Sequence, residues 1–166
     1  MNLIPHFVLS LLVSCTFVSA SFAEVRLPSV FTNHMVLQRN MPAPVWGWAD
    51  AGETVHVVFG DQTKQTKADD AGRWRVTLEP LSVGKPRSLV VEGTNRVEVK
   101  DVLVGEVWIC SGQSNMQWTL QQSSDGDLEL ASADVPEIRL LTVAGAGMQS
   151  PLDDFDGAWE VCSPGT

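Results

Sequence analysis

The chain has 166 residues, 44 % hydrophobic and 19 % charged, an ordinary globular composition that excludes a disordered or fibrous polypeptide. Its 20 acidic residues outnumber its 11 basic ones, giving a formal net charge of −9 and a pI of about 4.6. That balance argues against nucleic acid as a partner, because neutralising phosphates needs clustered Lys and Arg; a soluble acidic surface accounts for it.

Residues 1–23 contain no Asp, Glu, Lys or Arg. Phe7 to Val13 is mostly apolar, and Ser21-Phe22-Ala23 supplies a small-x-small cleavage site before Glu24. This pattern predicts a secretory signal peptide and a secreted or periplasmic product, with no transmembrane helix in the mature chain. The leader lacks the usual basic residue near its start. Leu12-Val13-Ser14-Cys15 also resembles a bacterial lipobox, so a lipoprotein anchored at Cys15 is the minority reading.

Residues 24–101 read as an all-β sandwich. Short alternating or β-branched runs recur at Met35–Gln38, Ala43–Trp48, Thr54–Phe59, Gln62–Lys67, Trp74–Leu78, Ser88–Glu92 and Arg96–Val102. Gly, Asn, Asp and Pro clusters separate them, as in Asp50-Ala51-Gly52, Gly60-Asp61 and Asp69-Asp70-Ala71-Gly72. In Thr54–Phe59, Val55, Val57 and Phe59 share one face and His56 lies on the other. Trp46 and Trp48 share a face with Gly47 opposite. Such a pair fills a core or stacks on a sugar ring.

Residues 102–166 switch to a β–turn–α–β pattern with no linker before it. Val102 to Cys110 predicts a strand buried on both faces, and Gln113 to Gln122 the opening of a helix. Between them, Ser111 and Ser114 suit a helix cap. They equally suit a nucleophile at the carboxyl end of a strand, where free N–H groups of a helical turn can stabilise an oxyanion. The segment is not the G-x-S-x-G elbow of α/β-hydrolases, because Met116 stands where the second Gly should be. Asp125 to Asp134 predicts a short helix ended by Pro136, and Ile138 to Val143 a second strand. Ala144 to Gly147 is a loop without a phosphate-binding pattern. Asp153, Asp154 and Asp156 suggest a solvated turn, their spacing being unlike an EF-hand. Without the leader, Cys110 and Cys162 remain; export permits a disulfide, and Cys110 fits equally a small core residue. No C-x-x-C or His pair is present, so neither a metal site nor a cofactor is predicted.

Gly105-Glu106-Val107-Trp108 followed by Cys110-Ser111-Gly112-Gln113-Ser114-Asn115-Met116 resembles the nucleophile block of the sialate O-acetylesterase family, serine esterases of the SGNH (GDSL-like) group. Leu27–Phe31, Met35–Gln38, Pro44–Trp48 and Ala71–Trp74 upstream fit the same family, as do Ala133-Asp134, Pro136–Leu140 and Trp159–Pro164 downstream. The resemblance implies a mixed fold: an N-terminal β-sandwich, then the first β-α-β portion of a flavodoxin-like SGNH-hydrolase domain. It implies Ser114 as nucleophile and backbone oxyanion donor, and an acetylated sugar or sialoglycan as substrate. Gln113, standing where many of the wider group carry Asp, and Asn115 would support the turn or the oxyanion.

The family's catalytic His comes late in the hydrolase domain. This chain has His6, His34 and His56, all upstream of Ser114, so no general base is assigned. Residues 101–166 are also short for a doubly wound domain of roughly 100–150 residues. The chain therefore reads as the N-terminal part of a longer esterase and as inactive by itself. A non-catalytic β-sandwich module with a carbohydrate-binding or bracing role is the alternative.

Overall fold

The computed structural model describes residues 24–143 and 150–166. The predicted leader, Cys15 within it and the loop from Ala144 lie outside the described residues.

Seven strands form between residues 36 and 105: β1 (Val36–Gln38), β2 (Ala43–Trp48), β3 (Thr54–Phe59), β4 (Gln62–Lys67), β5 (Arg73–Leu78), β6 (Arg87–Glu92) and β7 (Arg96–Gly105). They coincide with the alternating runs to within a few residues. A five-stranded mixed sheet has the order β1-β7-β6-β3-β4, and β2 pairs with β5 in a second sheet. Pairing is antiparallel except between β1 and β7, which run parallel with Val36 opposite Leu103 and Gln38 opposite Gly105. The fold is mostly β, with few helices among the described residues.

Alternation explains the core. Val55, Val57 and Phe59 of β3 are fully buried, and they join Val45, Trp74, Val76 and Leu78 of the second sheet and Leu89, Val91, Val99 and Val102 of β6 and β7 in one cluster. Burying one Val or Leu side chain contributes about 1.5–3 kcal/mol, so this cluster carries the fold. The edge strand β4 has no buried residue and carries Lys64 and Lys67, which discourages pairing with another chain. Arg26 exchanges two backbone hydrogen bonds with Trp48, at 2.9 and 3.0 Å. A Cβ at Gly47 would collide with the Arg26 carbonyl, which is why glycine separates the two tryptophans.

Beyond Gly105 the structure departs from the sequence-based expectations. The strand predicted to Cys110 stops at Gly105, and Trp108 and Ile109 are 83 % and 92 % exposed. The cause is local: β1, the parallel partner of β7, ends at Gln38, and the chain turns away at Asn40 with φ +58°. Cys110 is accordingly exposed rather than a core residue. The expected helix from Gln113 is instead two short 3₁₀ turns, Ser114–Gln117 and Leu120–Gln122, neither with a buried residue. A helix that packs no apolar face against a core has little to sustain it.

The next helix, α1 (Gly126–Ala131), ends at Ser132, well before Pro136. Pro136 instead lies within β8 (Val135–Leu141). β8 pairs antiparallel with β9 (Trp159–Cys162), a strand not anticipated from sequence. It does not lie parallel beside β7, which pairs instead with β6 along Arg96–Val102 and with β1 along Leu103–Gly105. The ribbon is tied to the first segment at three points. Ser29 N donates to Asp154 Oδ1 at 2.7 Å, Trp159 Nε1 to Val30 O at 2.9 Å, and Trp159 N to Thr32 Oγ1 at 3.1 Å. Asp154 thus serves as a latch within the acidic turn. Among the described residues no helix is long and apolar enough to cross a membrane.

Candidate active site

The segment that carries Ser114 is positioned from upstream. Parallel pairing with β1 fixes the end of β7, and Arg39 N donates to Gly105 O at 2.9 Å. The next residue, Glu106, accepts from Gln38 Nε2 at 2.8 Å and from Arg39 Nε at 2.6 Å. Gln38 Oε1 in turn accepts from Val107 N at 2.8 Å. Donation by the Gln38 amide, then by the Arg39 guanidinium, holds the Glu106 carboxyl below its ordinary range, so it is ionised at neutral pH. Two consecutive residues of the N-terminal segment therefore grip the first two residues past the strand. Reading the sequence did not single out Glu106, Gln38 or Arg39 as a contact; the only signal was that Glu106 breaks an otherwise apolar run.

From Glu106 the chain runs without regular structure to Gln113, which is extended (φ −100°, ψ −166°) and precedes the 3₁₀ turn that opens with Ser114. Gln113 O accepts from Met116 N at 2.9 Å and Asn115 O from Trp118 N at 3.4 Å, so backbone carbonyls close the turn. The side chains of Gln113 and Asn115 make no hydrogen bond among the described residues. Gly112 is closely approached by a side chain: a Cβ there would lie 2.6 Å from Met116 Cγ. The half-exposed Met116 side chain folds back toward Gly112.

Ser114 is exposed. Its hydroxyl has no hydrogen-bond partner among the described residues, and the N–H groups of Ser114 and Asn115 have no acceptor there. A hydroxyl beside two unclaimed N–H groups can attack a carbonyl carbon and hold the resulting oxyanion, provided a base takes its proton. Neither described histidine hydrogen-bonds Ser114: His34 meets Asp101 Oδ2 through Nδ1 at 2.7 Å, and His56 sits on β3.

A second polar cluster joins the two parts of the chain. Asp101 Oδ2 accepts from Arg139 Nη2 at 2.8 Å as well as meeting His34, and Arg139 Nη1 donates to Pro136 O. The Arg139 side chain is 4 % exposed, and its Nε is buried without a partner. His34 and Asp101 both adopt positive φ, +70° and +55°. Asp101 and Arg139 had no signal in the sequence beyond their charge. The two described cysteines are unpaired: Cys110 is exposed, and Cys162 Sγ lies 3.4 Å from Ala133 O. No group of three or more potential metal ligands occurs among the described residues.

No protein-family model matches the chain. Curated relatives do. The chain is 37 % identical over 145 residues to a sialate O-acetylesterase of Rattus norvegicus, covering 80 % of this chain and 27 % of that protein. It is 32 % identical over 164 residues to the Mus musculus sialate O-acetylesterase, covering 91 % of this chain and 30 % of that protein. A crystal structure of a carbohydrate acetylesterase from Xanthomonas citri superposes with a TM-score of 0.82 at 36 % identity, over 85 % of this chain and 33 % of that one. The resemblance drawn from the nucleophile block is borne out by these relatives, and the chain spans between a quarter and a third of their length.

Proposed function

We propose that this chain, a homologue of the sialate O-acetylesterases, forms part of a serine esterase that removes O-acetyl groups from sialic acids or other acetylated sugars. The observation that carries the reading is the turn at Ser114. An exposed serine opens a 3₁₀ turn with its own N–H and that of Asn115 unclaimed, on a segment clamped at Glu106.

In this reading Ser114 Oγ attacks the acetyl carbonyl carbon while a base takes its proton. The oxyanion is held by the Ser114 N–H, with Gln113 and Asn115 in support. The bond from the acetyl carbon to the sugar oxygen then breaks, and the sugar hydroxyl leaves with a proton. Water cleaves the acetyl-serine to acetate and restores the hydroxyl. No described histidine hydrogen-bonds Ser114, so this reading assigns the base to no described residue.

The domain reading that accompanies this is a β-sandwich over 24–101 and the start of an SGNH-hydrolase domain over 102–166. Its support is the shared core of the two sheets and the exposed apolar residues that follow Gly105. The composition of residues 1–23 supports export through a signal peptide. Sequencing the N-terminus of the mature protein tests it: a start at Glu24 is expected, and an intact Met1 would contradict it.

Acetate release from O-acetylated sialic acid by the full-length protein tests the activity. Ser114→Ala should abolish release; undiminished release would remove the nucleophile assignment.

A further inference from the structure

The tryptophans of β2 line a cleft unrelated to the Ser114 turn. It has a volume of about 540 Å³, within the ~300–1,000 Å³ range of small-ligand sites. Its walls include Trp46, Trp48, Arg73, Arg75 and Asp153. The strand register makes the arrangement regular: Trp46 lies opposite Arg75 and Trp48 opposite Arg73 across the β2–β5 pair. These four residues alternate with the buried positions Val45, Gly47, Trp74 and Val76, so they share the outer face of that sheet. Arg26 lies over the Trp48 ring at 4.1 Å and adds a third guanidinium at one end.

The charges are not all satisfied internally. Asp69, also in the wall, is held below its ordinary range, first by the Arg73 N–H, and its carboxylate lies 3.3 Å from Arg73 Nε. Those two charges therefore neutralise each other. The Arg75 side chain has no hydrogen bond or ion pair among the described residues. In a chain of net charge −9, a guanidinium that faces a cleft beside two indoles with no carboxylate on it has an anion-binding character. The indole N–H of Trp74, which also lines the cleft, is buried without a partner.

We propose that this cleft binds an acidic sugar residue, apart from the esterase centre. The apolar face of the ring lies against Trp46 and Trp48, the sugar carboxylate pairs with the Arg75 guanidinium, and Asp153 accepts from ring hydroxyls. Such a site would hold an acidic glycan on the enzyme while its acetyl groups are removed elsewhere. The choice of sialic acid as the probe rests on the proposed esterase activity; the chemistry of the cleft does not.

The test is titration of the protein with free N-acetylneuraminic acid, followed by calorimetry and by the indole N–H resonances of the tryptophans. Saturable binding is expected, with shifts at Trp46 and Trp48 and at least about tenfold weaker binding in Arg75→Gln. Arg75 is exposed, so that variant should fold like the parent; matching thermal melts check this. Trp48→Ala should weaken binding as well. Absence of binding, equal binding by Arg75→Gln, or equal binding of neutral galactose would overturn the proposal. Acetate release by the full-length protein separates the two readings, because Arg75→Gln should leave its turnover of a small soluble acetyl ester unchanged.

Discussion

Arg39 Nε donates to Glu106 Oε1 at 2.6 Å, joining residues 67 apart in sequence. Glu106 is the first residue after the strand that precedes the Ser114 turn, and Arg39 the first after the short parallel strand beside it. Both groups are about half exposed, so the pair contributes little to global stability by itself. Its consequence is directional: it sets where the chain leaves the sheet, and hence where Ser114 stands. Glu106→Ala should therefore leave the melting temperature within a few degrees of the parent. In the full-length protein it should lower kcat for acetate release about tenfold or more, because small misplacements of a reacting group are costly. A large drop in melting temperature with unchanged kcat would reverse this assignment.

Asp101 and Arg139 should behave in the opposite way. Arg139 is almost fully buried, and Asp101 is the carboxylate that compensates its charge. Removing one partner of a buried ion pair costs roughly 3–5 kcal/mol, and Asp101 is partly exposed, so Asp101→Ala should cost about 3 kcal/mol. His34→Ala removes one half-exposed hydrogen bond and should cost about 1 kcal/mol. Urea unfolding of the two variants checks the order.

The response to acid follows from carboxylates held below their ordinary range, among them Glu106, Asp154 and Glu53. Hydrogen bonds from Gln38, then Arg39, lower Glu106. Burial pushes Asp154 up, but the N–H groups of Ser29 and Phe155 outweigh it. Burial likewise opposes the N–H groups of Thr94 and Asp50 at Glu53, which prevail. Each carboxylate binds its proton more weakly folded than unfolded. Its contribution is complete above the unfolded value, near 4 for Asp and Glu, and is lost as pH falls through the folded value. Melting temperature should stay level from pH 7 to about pH 5 and decline below about pH 4. Glu106→Gln should make that decline shallower; an identical acid limb would show that Glu106 is not one of the groups responsible.

Gly112 offers a test of the turn itself. Gly112→Ala places a Cβ 2.6 Å from Met116 Cγ, so Met116 must move. Met116 is itself half exposed and can shift, so stability should change by less than about 1 kcal/mol while acetate release falls. Pairing Gly112→Ala with Met116→Ala relieves the contact and should restore part of the activity.

The fold up to Gly105 was legible in the sequence because each strand there faces one core with period two. Thr54–Phe59 and Arg73–Leu78 show the alternation directly, and turn residues separate the runs. After Gly105 the same reasoning failed at Val107–Ile109. An apolar run predicts burial only where a neighbouring element covers it, and no described element covers Trp108 or Ile109. β9 was not anticipated because Trp159–Cys162 is short and its anchors are distant, Val30 and Thr32 lying more than 120 residues upstream. At the candidate site, Ser114 could be picked out because Gly112, Ser114 and Asn115 sit in a block with family character. Glu106, Gln38 and Arg39 could not, because their role exists only once β1 lies parallel to β7. A parallel pairing between residues so far apart leaves no local signature.

The central claim is that Ser114 is the nucleophile, and its most direct measurement is covalent trapping. The full-length protein would be treated with a fluorophosphonate, digested and mapped by mass spectrometry. The adduct is expected on the peptide carrying Ser114, to be absent in Ser114→Ala, and to form in step with the loss of acetate release. An adduct on another serine, or acetate release that persists in Ser114→Ala, would contradict the account.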